Sequence, residues 1–72
     1  VVLSPNPAQD VLYLNLEQAA RVQIRDLSGN TVRSSVWINP GEYIQIQDLQ
    51  AGMYLLSIEY GEEVLTRSFI KE

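Results

Sequence analysis

From Val11 onward, apolar side chains return at every second position, and nowhere do they recur at helical spacing. A period of two sends alternate side chains to opposite faces of an extended backbone, so the chain can fold only by burying one face of each strand. Val11-Leu12-Tyr13-Leu14-Asn15-Leu16 turns Leu12, Leu14 and Leu16 inward. Residues 21–26 do so with Val22 and Ile24, and residues 43–47 with Ile44 and Ile46. The longest apolar run, 53–58, places Tyr54, Leu56 and Ile58 on one face as the central core strand.

The punctuation between these runs is turn chemistry. Val1-Val2-Leu3 is closed by Ser4-Pro5-Asn6-Pro7, where each proline fixes its own φ and extends the residue before it, holding a first strand at a sheet edge. Ser28-Gly29-Asn30 reads as a three-residue hairpin loop, and Asn39-Pro40-Gly41-Glu42 has Pro and Gly at the central positions of a type II turn. Gly61-Glu62 suits a two-residue II′ hairpin into a last strand over 63–71. The reading is all-β: a small seven-stranded antiparallel β-sandwich.

Loop lengths also predict registers. The three-residue loop pairs Val22 with Val36, Ile24 with Ser34 and Asp26 with Val32, and sets Arg25 against Arg33 and Arg21 against Trp37. The last pair invites a cation–π contact. Two facing arginines repel, so either the register differs, or an acidic partner lies near, or the strip is solvated. The II′ hairpin pairs Tyr54 with Phe69, Leu56 with Arg67 and Ile58 with Leu65. It leaves Met53, Leu55, Val64 and Ile70 on the opposite face, either under a curled second sheet or as an apolar docking patch. Leu49, Gly52 and Tyr54, spaced Leu-x-x-Gly-x-Tyr, fit a tyrosine corner, in which the phenol hydrogen-bonds backbone a few residues upstream. The expected core is Leu12, Leu14, Val22, Ile24, Ile44, Ile46, Leu49, Tyr54, Leu56 and Ile58.

Composition narrows what such a sandwich can do. The 72 residues make one domain, 1–72, and the absence of any Cys removes disulfides and thiolate metal sites. Without His as well, the usual nucleophile–base pairs are missing, so no enzyme, no cofactor and no metal site is expected. Asp26 and Asp48 sit at turns and Glu62-Glu63 at a hairpin tip, where carboxylates serve backbone or solvent. A net charge of −4, from five basic and nine acidic residues, disfavours nucleic acid, and no apolar run is long enough for a membrane-spanning helix. The chain opens at Val1 with no targeting segment and reads as a domain excised from a larger exported protein.

Read in order, Leu3-Ser4-Pro5-Asn6-Pro7-Ala8, the strand and Gly29 turn over 22–29, Leu49-Gln50-Ala51-Gly52-Met53-Tyr54 and the closing Phe69-Ile70-Lys71 form a familiar pattern. The chain resembles the C-terminal sorting domain of the type IX secretion system of Bacteroidetes, in its type A form, over nearly its whole length. Its departures are Glu72 after the terminal Lys and few basic residues in the last strand. The resemblance implies an immunoglobulin-like fold and a folded, non-catalytic secretion signal. The cargo would cross the periplasm in transit, pass the outer-membrane translocon, and end at the outer membrane and cell surface or secreted. A sortase-like processing protease would remove the domain in most members and join the cargo to an anionic lipopolysaccharide. Pro5, Asn6, Pro7, Gly29, Leu49, Gly52, Tyr54, Phe69, Ile70 and Lys71 would carry the recognition motif, with Lys71 a polar handle. Weak self-association through the last strand is a further expectation. The competing reading is an adhesion or carbohydrate-binding module, for which Tyr13, Trp37, Tyr43 and Tyr60 would have to supply an aromatic platform.

Overall fold

The computed structural model describes residues 3–5 and 8–72, so the expectations for Val1, Val2, Asn6 and Pro7 lie outside the described residues. Seven strands follow the alternating segments: β1 Leu3–Ser4, β2 Val11–Leu14, β3 Ala20–Asp26, β4 Thr31–Ile38, β5 Tyr43–Gln45, β6 Gly52–Tyr60 and β7 Glu63–Lys71. They form two antiparallel sheets, β1-β2-β5 and β4-β3-β6-β7, packed as an immunoglobulin-like sandwich. The Ser4–Pro5 peptide is cis. The chain changes sheet between β2 and β3, again between β4 and β5, and a third time through the corner that leads into β6.

The core lies between the inward faces of both sheets. Leu12, Leu14, Ile44 and Ile46 from one side meet Val22, Ile24, Leu56, Ile58 and Phe69 from the other, joined by Ala8, Leu16, Ala20, Ile38 and Tyr54. Nine of the ten expected core residues are buried; Leu49 is half-buried, packed against the rim of the core.

The β6–β7 hairpin has the expected register, Tyr54 opposite Phe69, Leu56 opposite Arg67 and Ile58 opposite Leu65. Gly61 takes φ +60° and no other turn residue is positive, as a II′ turn requires. The type II turn is also present, with Gly41 at φ +89° and the Glu42 N–H donating to the Asn39 carbonyl at 3.0 Å.

The β3–β4 register departs from expectation. Val22 does oppose Val36 and Arg21 opposes Trp37, but register shifts then place Ile24 opposite Arg33 and Arg25 opposite Thr31. The cause is Asp26. Its carboxylate accepts the N–H groups of Ser28 and Asn30 at 2.9 and 3.0 Å, and its own N–H donates to the Asn30 carbonyl. That closes the loop over residues 27–29 instead of 28–30, and β4 absorbs the two residues gained as bulges. Arg25 and Arg33 therefore do not face each other. Arg25 donates instead to Gln23, and Arg33 reaches Asp48 at 2.6 Å.

The Arg33 hydrogen bond holds the Asp48 carboxyl below its ordinary value of 3.8, with the nearby charges of Arg33 and Lys71 acting in the same direction. A carboxyl lowered on folding contributes stability above its unfolded pKa and loses it as pH falls through the lowered value. Arg33→Ala is expected to bring the Asp48 titration up towards 3.8. The stability gap between the two proteins should then close as the medium is acidified below that pH. A carboxyl titration by NMR that is identical in both proteins would refute the pairing in solution.

Candidate recognition surface

The corner into β6 is closed by the Tyr54 hydroxyl, which donates to the Gln50 carbonyl at 2.6 Å. The ring is buried and stacks on Phe69, centroids 5.6 Å apart and planes at 24°. Gly52 lies opposite Lys71 across the same hairpin, and Leu49 packs against the core beneath. The corner and the end of β7 are thus one assembly. Pro5 stands apart beside the small sheet, and Gly29, at φ +93°, stands at the far β3–β4 tip. The described members of the motif are not gathered into one site.

Lys71 corrects the expectation of an exposed handle. It is buried, only 8% exposed, on the core-side face it shares with Phe69, and its Nζ donates to the Glu72 carbonyl at 2.9 Å. Burial is possible because Ala8 covers this end of β7. The Ala8 N–H donates to the Ile70 carbonyl, and the Glu72 N–H donates to the Ala8 carbonyl, each at 2.8 Å, in a parallel bridge. Nothing in the sequence announces this tie, since a lone Ala after a proline turn has no pattern of its own.

The outer face of the large sheet carries no second layer among the described residues, which settles the alternative of a curled sheet. Met53 and Ile70 oppose each other there, 46% and 42% exposed, with Leu55 half-buried beside them and opposite Ser68. Val64 is more exposed but lies six residues along β7 from Ile70, about 20 Å at strand rise. It belongs to a different row, with Glu59, Arg21 and Trp37. The expected four-residue patch is therefore a three-residue patch with Val64 detached from it. In that second row the Arg21 guanidinium lies 5.3 Å from the centroid of the exposed Trp37 ring, the anticipated cation–π contact.

The edges complete the surface. Among the described residues, β7 pairs with β6 on one side and on the other only with Ala8, at its end. Residues flanking a two-residue hairpin turn share a hydrogen-bonded pair, so Glu63, Leu65, Arg67, Phe69 and Lys71 point their backbone groups at β6. Those of Val64, Thr66 and Ser68 point outward. An open cleft lined by Asn15, Glu17, Gln18 and Tyr60 lies at the hairpin end of β6. Tyr13 and Tyr43 oppose each other, both exposed, on the outer face of the small sheet, so the four aromatic candidates are divided over separate surfaces. Among the described residues, no helix is long and apolar enough to cross a membrane.

No curated protein and no solved structure matches the chain. The family model described as "Secretion system C-terminal sorting domain" matches residues 3–72, very nearly the whole sequence and every strand of the sandwich. The chain therefore belongs to the secretion system C-terminal sorting domains, and is a sorting signal for type IX export across the outer membrane.

Proposed function

We propose that this sandwich is a non-catalytic address, engaged by the type IX outer-membrane translocon at the outer edge of β7 and the adjoining Met53–Ile70 row. The observation that carries the reading is where the motif residues lie. Tyr54, Phe69 and Lys71 are buried, so a receptor cannot grip them without unfolding the domain, and Leu49 is half-buried. They build a shared shape, and what that shape offers outside is backbone: the N–H and C=O groups of Val64, Thr66 and Ser68. Strand addition reads backbone and tolerates side-chain variety, which suits a machine serving many cargos. The apolar Met53–Ile70 row supplies a side-chain contact next to that edge. In this reading the cargo passes through the periplasm, and a sortase-like protease then removes the domain and attaches the cargo to a surface lipopolysaccharide. The bacterial host would be a member of the Bacteroidetes.

Residues 1–72 fused behind a periplasmic reporter in a type IX-competent cell are expected to carry it to the surface. Thr66→Pro removes one outward N–H at an edge position where proline is tolerated, and should leave a folded fusion in the periplasm. It is a cleaner test than deleting residues 70–72, which would also strip Ala8 of its partners. Surface delivery of a folded Thr66→Pro fusion at normal levels would refute edge recognition. Retention of the unaltered fusion would refute the address itself.

One observation favours the second reading, a glycan-binding module: the exposed Tyr13–Tyr43 pair, a flat apolar surface suited to a sugar ring. That module would bind a neutral polysaccharide and lose binding on Tyr43→Ala, with no export of the reporter.

A further inference from the structure

The two ends of the sandwich are closed differently. At one, the Ala8 segment lies bonded to Ile70 and Glu72 over the buried Lys71. At the other, where the chain crosses from β2 to β3, a cleft of about 530 Å³ stays open, a volume within the range of small-ligand sites. Asn15, Glu17 and Gln18 of the crossing line it together with Tyr60. Tyr60 follows Ile58 on the core-side face of β6, half-buried and packed against the core, so its ring is a fixed wall. Among the described residues, neither the Tyr60 hydroxyl nor the exposed Glu17 carboxylate has a hydrogen-bond or ion-pair partner. The charge of this end is one-sided. Glu17, Glu42, Glu59, Glu62 and Glu63 lie here, with Arg21 as the one base beside them. The other four acidic and four basic residues balance, so the whole net charge of −4 belongs to the end that holds the cleft.

The geometry points to the cleft as a receptor for an arginine side chain presented by a partner protein. The guanidinium stacks on the Tyr60 ring and donates to the Glu17 carboxylate, with the side-chain carbonyls of Asn15 and Gln18 as further acceptors. The molecule builds the same arrangement for itself in the neighbouring row. There the Arg21 guanidinium lies 5.3 Å from the Trp37 ring centroid and stands opposite Glu59, flanked by a ring and a carboxylate. The cleft offers a ring and a carboxylate with no guanidinium of the chain between them. A planar group with five donors that stacks on aromatic faces matches this wall better than a compact, strongly hydrated ammonium. An anion would enter against the charge of the whole end. The site does not depend on the export reading, whose Met53–Ile70 row lies at the far end of β6.

N-acetyl-arginine amide titrated into the 72-residue chain, with backbone amide shifts read by NMR, tests the site. Saturable shifts are expected at residues 15–18 and at Tyr60, with a Kd of about 10 mM, as suits one exposed ion pair and one ring contact. The citrulline analogue keeps the flat shape and loses the charge, and should bind about threefold more weakly or worse. The lysine analogue keeps the charge and loses the plane, and should also bind more weakly. Glu17→Gln, at an exposed position, should weaken arginine binding about threefold with an unchanged circular dichroism spectrum. Shifts that do not saturate up to about 100 mM, or that centre elsewhere on the domain, overturn the inference. So does a citrulline or lysine analogue that binds as well as arginine, or a folded Glu17→Gln chain that binds as well as the parent. None of these outcomes bears on export, which the reporter fusion reads separately.

Discussion

Leu56→Ala is expected to cost about 2–5 kcal/mol, enough to take most of the stability of a domain this size. At 0.05–0.15 kcal/mol per residue, 72 residues are held by roughly 4–11 kcal/mol. Leu56 has no exposed surface and lies mid-strand on β6, with Ile24 of β3 on one side and Arg67 of β7 on the other. Its neighbours are clamped in two ladders and cannot collapse into the space left behind, which puts the cost towards the upper half of that range. Urea unfolding followed by tryptophan fluorescence and circular dichroism would read it. A midpoint within error of the parent's would show that the core is not built around β6.

Tyr54→Phe comes second, at about 1 kcal/mol. The substitution keeps the ring and its stack on Phe69 and removes only the hydroxyl that donates to the Gln50 carbonyl. Gln50 is exposed, so water can take up its carbonyl, and the loss is that of one short hydrogen bond without a buried orphan. The effect should appear as a lower urea midpoint with an unchanged slope, because the area exposed on unfolding is the same. Coincident curves for the two proteins would mean that the corner is held by packing alone.

How far the sequence could be read depended on what fixed each feature. The β6–β7 register was legible because a two-residue loop leaves no freedom: once Gly61-Glu62 is a II′ turn, every opposite pair follows. The β3–β4 register was not, because one side chain, Asp26, recruits two N–H groups and shifts the loop to residues 27–29 in a way that alternation cannot register. Alternation also reports which face a residue is on but not whether a second sheet extends over it. Val32 and Val36 carry the same pattern as Val22 and Ile24, yet they are 38% and 40% exposed on edge strand β4. Lys71 failed in the opposite sense. Its parity put it on the Phe69 side, while its charge suggested water, and only the Ala8 segment, distant in sequence, decides between them. The surface proposed for recognition rests on the parity of the last strand, since an open backbone edge has no residue type of its own.

The Ala8 bridge bears on when the domain can exist at all. Its two hydrogen bonds join residue 8 to residues 70 and 72, so the contact that seals one end of the sandwich spans almost the entire chain. Chains emerge from the ribosome N-terminus first, and local elements can form as they appear. This seal cannot: it waits until Glu72 has been made and has cleared the ribosome. A product that stops before residue 70 would leave the Ala8 segment without its anchor. The sandwich is therefore sealed only once the whole span from residue 8 to residue 72 has been made, and any step that reads the closed fold comes after that point.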